Sequence, residues 1–122
     1  MTNTIGELIA TLFLSREVAH REHLRTNSYA THMALGSFYE EVIDLADTLA
    51  EAYQGKTGEK INDIPFYSNP MKGTILVTLQ KLVTQIEKER ADCCADDSTI
   101  QNIIDEIVAL FYSTIYKLKF LS

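Results

Sequence analysis

The sequence predicts an all-α fold, a four-helix bundle formed by a single domain over residues 1–122. Apolar residues recur at spacings of three and four along most of the chain, which is the period of an amphipathic helix. Clusters of Gly, Pro, Asn, Asp and Ser divide this pattern into four segments. No segment shows the alternation of apolar and polar residues that a half-buried strand requires. A chain of 122 residues is long enough for one modest core and too short for two.

The first helix is predicted to begin after Thr4, because Thr4 can cap it and Glu7 occupies the reciprocal position of a capping box. Its apolar residues recur at helical spacing as far as Leu12. The same stripe then carries polar residues: Arg16, His20 and His23. A change from apolar to polar along one stripe is unusual for a helix that only packs in a core.

The second helix is predicted to follow a cluster of turn formers, Thr26, Asn27 and Ser28. Ser28 or Asn27 can cap a helix from about Tyr29 to Gln54, and Gly55 is expected to follow its last turn. Five apolar residues form one contiguous arc when this segment is drawn as a helical wheel: Leu35, Phe38, Val42, Leu49 and Tyr53.

A long connection is predicted between the second and third helices. The stretch from Lys56 to Asn69 has no helical period and contains Gly58 and Pro65, so we expect it to cross the length of the bundle. Asn69-Pro70 is predicted to cap and open the third helix. A break from Asp92 to Ser98 separates that helix from the fourth.

The acidic composition limits the classes of partner. The chain carries 11 basic and 17 acidic residues, a formal net charge of -6, which opposes attraction to the phosphate backbone of nucleic acids. No stretch approaches the roughly 20 apolar residues that span a bilayer, and the N-terminus lacks the pattern of a secretory signal. Cys93 and Cys94 are adjacent, so they cannot cross-link distant parts of the fold. We therefore expect a soluble, cytoplasmic protein that binds neither nucleic acid nor a membrane.

Four ionisable residues are candidate metal ligands: His20, His32, Asp47 and Glu51. They are spaced twelve, fifteen and four residues apart, across the first helix, the turn and the second helix. Two imidazoles and two carboxylates form a mixed nitrogen and oxygen set that suits iron, manganese or zinc. The spacing of four places Asp47 and Glu51 on one helix face, where both could approach a single cation.

The two carboxylates are predicted to lie outside the core of their own bundle. On the helical wheel, Asp47 and Glu51 lie a quarter turn or more from the centre of the apolar arc, beyond His32. They are therefore either solvated or located at an interface where they meet histidines of a second chain. Glu17 precedes His20 by the Glu-x-x-His spacing of di-iron bundles, which use two such motifs, whereas one is found here. A di-iron centre within one chain is not favoured.

The spacing of His20, His32, Asp47 and Glu51, with the run Asp47-Thr48-Leu49-Ala50-Glu51, resembles the ferroxidase signature of the Dps-like branch of the ferritin superfamily. The resemblance implies a ferritin-like four-helix bundle that forms a homo-oligomer, at least a dimer. It also implies a site for iron, or for another divalent metal, at which two histidines of one subunit meet the Asp and the Glu of a two-fold partner. Ferroxidase activity is the enzymatic function that it suggests.

A longer stretch, from His23 to Tyr39 with Tyr53-Gln54-Gly55 after it, resembles a group of short phage-encoded Dps-like proteins, which implies a location in the host cytoplasm. Gly36 stands where the Dps-like pattern often has a further Asp. The sequence around His23 fits the first histidine of the Dps-like pattern better than the sequence around His20 does. The first nitrogen ligand is therefore either His20 or His23. No Lys-rich tail supports the DNA binding of Dps proteins. Two further residues are candidates to orient the ligands: Glu17 and Tyr39.

Two other hypotheses remain open. The chain could form a non-catalytic oligomer that holds a small ligand such as a signalling nucleotide. The groups that could bind its phosphate cluster near the first turn: Arg16, Arg21, Arg25, Thr26, Ser28 and Tyr29. Alternatively, the three histidines could be hydrogen-bonded at the helix junction for a purely structural purpose, with no ligand.

Overall fold

The computed structural model describes residues 2–68 and 72–122, which contain four α-helices and no strand. Helix α1 packs against α2 and α3, and α4 packs against the same two helices, so the four surround one core. The prediction of an all-α four-helix fold is confirmed. In the described ranges, none of the helices combines the length and the apolar composition needed to cross a membrane. The helices are α1 (Ile5–Arg25), α2 (Tyr29–Thr57), α3 (Ile75–Cys93) and α4 (Ser98–Phe120).

Helices α2 and α3 run in the same direction. The backbone N–H of Asn3 donates to Asp92 at 2.9 Å, and the Thr11 hydroxyl donates to Glu89 at 2.9 Å. The start of α1 therefore lies beside the end of α3, and these two helices are antiparallel. Because α1 is also antiparallel to α2 across a short turn, the connection of residues 58–74 brings the chain back along the bundle.

The connection runs along α1. A Cβ atom added to Gly6 would collide with the carbonyl oxygen of Asp63, so glycine allows the connection to approach the first turn of α1 closely. Further along, Pro65 and Phe66 reach the level of Phe13, near the middle of α1. The two contacts trace the connection from the start of α1 towards its centre.

Side-chain caps define the starts of the first two helices as predicted. The Thr4 hydroxyl accepts from the backbone N–H of Glu7, and the Glu7 carboxylate accepts from the backbone N–H of Thr4. This is the reciprocal capping box. Ser28 caps α2 by accepting from the backbone N–H of Thr31 at 3.2 Å. Each cap satisfies backbone donors that have no partner inside the helix.

The predicted end of α2 is wrong. The helix continues through Gly55, and Gly58 takes the left-handed cap with φ of 74°. Either glycine can adopt this conformation without steric cost, so local chemistry does not choose between them. The predicted opening of the third helix at Asn69-Pro70 lies outside the described residues; α3 begins at Ile75, after the Thr74 cap.

Large apolar side chains from all four helices form the core. Phe38 of α2 and Phe111 of α4 are fully buried and meet edge to face, with ring centres 4.9 Å apart, a favourable geometry for two aromatic rings. The remaining large and fully buried side chains are Leu8, Ile9, Leu12, Leu35, Leu49, Leu79, Ile86, Ile100, Ile104 and Ile107.

The turn between α3 and α4 is held by polar contacts and a disulfide. Arg90 donates to Asp105 at 2.6 Å and to the side-chain and backbone oxygens of Gln101. Cys93 and Cys94 are joined to each other by a disulfide, a bond that the sequence analysis did not predict. Because the two residues are adjacent, the bond constrains the chain only locally.

One carboxyl group is enclosed in the core. Glu89 of α3 is fully buried, and its Oε2 accepts from the Thr11 hydroxyl, whereas its Oε1 has no hydrogen-bond partner among the described residues. Burial raises the pKa of Glu89 above its ordinary value, and the nearby carboxylate of Glu7 adds to the shift, while Thr11 and Gln85 oppose it. The charged form of Glu89 is therefore destabilising at neutral pH.

We expect Glu89→Gln to increase the free energy of unfolding at neutral pH by about 1–3 kcal/mol, because the neutral amide removes the cost of burying a charge, the same cost that raises the pKa of Glu89. With a raised pKa, the folded chain keeps the Glu89 proton at pH values where the unfolded chain has lost it. The contribution of Glu89 to wild-type stability should then fall as the pH rises above about 4, and the advantage of the variant should shrink on acidification. Denaturant titrations between about pH 4 and pH 8 measure both effects.

Glu106→Gln is the matched control, because Glu106 lies exposed on α4. It should leave stability almost unchanged at every pH. If the two variants behaved alike, the buried Glu89 carboxyl would not carry the pH dependence.

Candidate functional site

Three histidines and a tyrosine converge at the junction of α1 and α2. His23 of α1 and His32 of α2 stack with ring centres 3.7 Å apart and planes 18° from parallel. His20 stacks on Tyr39 of α2 at 4.1 Å, and its ring centre lies 6.2 Å from that of His23. All four residues are half-buried. We call this group, His20, His23, His32 and Tyr39, the histidine cluster.

Two reciprocal hydrogen bonds fix the tautomer of His23 and His32. Nδ1 of His23 donates to the carbonyl oxygen of His32 at 2.6 Å, and Nδ1 of His32 donates to the carbonyl oxygen of His23 at 2.8 Å. A carbonyl oxygen can only accept, so both Nδ1 atoms carry the hydrogen. In a neutral imidazole, Nε2 then keeps a free lone pair. Among the described residues, neither Nε2 has a hydrogen-bond partner.

Gly36 provides the space for the ring of His23. A Cβ atom at Gly36 would lie 3.0 Å from Cε1 and 3.3 Å from Nδ1 of that ring. These distances are shorter than ordinary van der Waals contact, so the ring would have to move. Gly36 therefore allows the ring of His23 to pack directly over the backbone of α2.

Asp47 and Glu51 do not reach the histidine cluster of their own chain. Both are exposed on α2, and the fifteen residues from His32 to Asp47 span about 22 Å along the helix axis. Within residues 2–68 and 72–122 of one chain, no three His, Cys, Asp or Glu side chains come together to hold a metal ion. The four ligands of the metal hypothesis can share one ion only if a second chain supplies the carboxylates.

Glu17 pairs with arginines of its own helix. Its carboxylate accepts from Arg21 at 2.7 Å, and Arg16 approaches it at 3.9 Å. The hydrogen bond from Arg21 lowers the pKa of Glu17. The pair with Arg21 is an exposed contact one helical turn apart, which contributes only a few tenths of a kcal/mol. It would have to open before Glu17 could orient His20.

The donors proposed for a small ligand take part in local structure. Arg25 pairs with Glu22 at 3.1 Å. The Thr26 hydroxyl accepts from the backbone N–H of Ser28 at 3.1 Å, and Ser28 itself caps α2. Tyr29 is the exception, since it is three-quarters exposed. Arg21, Arg25 and Tyr29 are all exposed, so these three side chains remain accessible to a ligand near the turn.

Sequence reasoning missed the direct contact between His23 and His32. The sequence signal for this contact is that His23 and His32 are nine residues apart, on either side of the turn of residues 26–28. This spacing brings the two residues to the same level of the α1–α2 hairpin. Helical periodicity, applied to one helix at a time, does not reveal such a pairing.

Residues 23–118 match DUF5856, described as a family of unknown function. The chain belongs to this family. The matched region begins at His23 and includes His32, Asp47 and Glu51, whereas His20 precedes it. The chain is also 31% identical, over 115 residues, to an uncharacterised 14.6 kDa protein of the mobD-ri intergenic region of Enterobacteria phage T4; the aligned part covers 93% of this chain and 86% of the phage protein. No solved structure matches the chain.

We expect Gly36→Ala and Gly55→Ala to change stability in opposite directions. Gly55 lies within α2 with open space where a Cβ would stand, so alanine should stabilise by up to about 1 kcal/mol through its helix propensity. At Gly36 the methyl group would displace the His23 ring, and the lost stacking and hydrogen bond should give a net destabilisation of about 1 kcal/mol. Thermal unfolding of the two variants measures the difference. Equal stabilisation by both would show that the His23 ring does not occupy this space.

Proposed function

We propose that this protein binds iron as Fe(II), its substrate, at a site shared by two copies of the chain, as a Dps-like member of the ferritin superfamily. His32 and either His23 or His20 supply nitrogen, and Asp47 and Glu51 of the partner subunit supply oxygen. The observation that carries the proposal is the reciprocal hydrogen bonding that leaves Nε2 of His23 and His32 with a free lone pair. Metal-binding histidines are commonly held by a bond from the other ring nitrogen to a backbone carbonyl.

The helix order supports this proposal. Helices α2 and α3 run in the same direction and are joined by one long connection, whereas an up-and-down bundle alternates direction through short loops. Among four-helix bundles, a single long crossover is the ferritin-like arrangement. The half-buried histidines and exposed carboxylates also lie where an interface between copies could bring them together.

The donor set fits iron. Imidazole nitrogen combined with carboxylate oxygen suits iron, and a site with fewer than six protein ligands leaves positions for peroxide or dioxygen. Bound Fe(II) would supply the electrons when it is oxidised to Fe(III). The chain's own part is to hold the ion between two subunits and to keep both histidines in the ligating tautomer.

The stacking of His23 on His32 restricts how these two rings share iron. An imidazole lone pair lies in the plane of its ring, and the two planes are nearly parallel and 3.7 Å apart. The rings therefore bind one ion each while both backbone hydrogen bonds are kept. A single shared ion requires one ring to turn about its Cβ–Cγ bond and give up its hydrogen bond to the carbonyl. The ratio of bound Fe(II) to chains distinguishes these two arrangements.

Mixing two variants tests whether the site is shared between subunits. Asp47→Asn/Glu51→Gln keeps the histidines, and His32→Gln keeps the carboxylates and an amide that can still donate to the His23 carbonyl. Each variant alone should lose most Fe(II) binding in anaerobic calorimetry. After subunit exchange, an equimolar mixture should recover about a quarter of the wild-type sites. Random pairing makes half of the dimers mixed, and each mixed dimer has one complete site of two.

The control is Glu41→Gln/Asp44→Asn, which removes two charges from α2 on the side that borders α4. It should leave Fe(II) binding unchanged. The proposal would be overturned by a wild-type protein that takes up no Fe(II), or by unchanged binding in Asp47→Asn/Glu51→Gln. Failure of a mixture of folded, exchanging variants to recover sites would also overturn it.

A further inference from the structure

We propose that the outer face of α1 and α2 is the docking surface for a second copy of this chain, with Phe66 as its central anchor. The two copies pair with their α2 helices antiparallel, across a two-fold axis near Glu40. The position of this axis rests on the proposed function, because it is set by bringing His32 of one copy to the carboxylates of the other. The packing and charge arguments are independent of the metal.

Phe66 of the connection is fully exposed, whereas other large apolar side chains on this side of the molecule are partly covered. It stands at the rim of an open pocket between α1, α2 and the connection. An aromatic side chain that projects beside an apolar pocket marks an interaction site. The pocket is lined mainly by Phe13, Leu14, Arg16, Ile43, Pro65 and Tyr67.

The anchor and the pocket are on the same face, as an interface between identical copies requires. A two-fold axis brings the same patch of both copies together, so each copy must carry both complementary parts. Phe66 can then be covered by the pocket region of the partner while the pocket receives the partner's aromatic ring. A partner of different sequence would need only one of the two parts.

The pocket also lies at the level of the proposed axis. Antiparallel α2 helices bring His32 opposite Asp47 and Glu51 of the partner subunit when the axis crosses α2 halfway between them, near Glu40. Ile43, which lines the pocket, is three residues further along α2, or about 4–5 Å along the helix. Phe66, which lines the same pocket, therefore lies close to the level of the axis and towards the middle of the interface, where anchor residues contribute most to binding.

The charges along this face favour the antiparallel orientation. The half of α2 from Glu40 onwards carries three exposed carboxylates on this face and no basic residue between positions 40 and 51: Glu40, Asp47 and Glu51. The other half of the face, at the α1–α2 turn, carries the histidine cluster and arginines that outnumber the acidic residues, three to two, over residues 16–25. Antiparallel pairing sets the acidic half of one copy against the histidine half of the other, whereas parallel pairing would oppose two acidic halves.

Glu40 provides a signature of this geometry. It lies exposed on the outward stripe of α2 with Met33 and Asp47, seven residues to either side. The proposed axis brings the Glu40 carboxylates of the two copies close together, and two negative charges close to each other repel. Removing this charge should therefore strengthen the dimer.

Sedimentation velocity on metal-free protein tests the proposal. The wild type should dimerise, Phe66→Ala should raise the dimer Kd at least about tenfold, and Glu40→Gln should lower it severalfold. Both side chains are exposed, so neither change should alter the helix content or the unfolding temperature of the monomer. Phe120→Ala and Glu106→Gln, at exposed sites on α4, are the matched controls and should leave the Kd unchanged.

The outcomes separate this inference from the proposed function. Phe66-dependent dimers that bind no Fe(II) would support the docking surface and overturn the iron site. Fe(II) binding by an assembly insensitive to Phe66→Ala and Glu40→Gln would leave the iron proposal standing and overturn this surface. A wild-type protein that stays monomeric up to about 1 mM, the range of the weakest specific complexes, would overturn the docking surface as well.

Discussion

The reciprocal hydrogen bonds between His23 and His32 determine how α1 and α2 meet. Each ring donates to the backbone of the opposite helix, so the contact fixes the level of one helix against the other as well as the two side chains. With the two helices at this level, His20 lies beside Tyr39. Further from the turn, Phe13 and Ile43 line the same pocket. The two short polar contacts at the end of the hairpin therefore hold the same level of α1 against α2 as the buried side chains of the core.

Local chemistry explains which parts of the fold could be predicted. The starts of α1 and α2 follow from Thr4 and Ser28, whose hydroxyls satisfy nearby backbone donors whatever the rest of the chain does. The end of α2 could not be decided locally, because Gly55 and Gly58 are equally suited to a left-handed cap. In the structure, Gly58 takes the left-handed cap.

The candidate site was predictable only in part, because its residues meet across helices. The helical wheel places Asp47 and Glu51 outside the core, and both are exposed. The stacking of His23 on His32 depends on two helices at once, and no single-helix pattern shows it. Glu89 had a signal that was overlooked: it lies three residues after buried Ile86, on the apolar stripe of α3. An acidic residue on such a stripe identifies a buried carboxyl.

Gly36 has a consequence for any redesign of this protein. The Dps-like pattern suggests adding a carboxylate at this position to build a richer ligand set, but its Cβ alone would meet the ring of His23. A side chain at position 36 would therefore displace the imidazole ring of His23 and loosen the turn that this ring holds. A redesign that introduces a carboxylate at position 36 would be accommodated best together with a smaller residue at position 23.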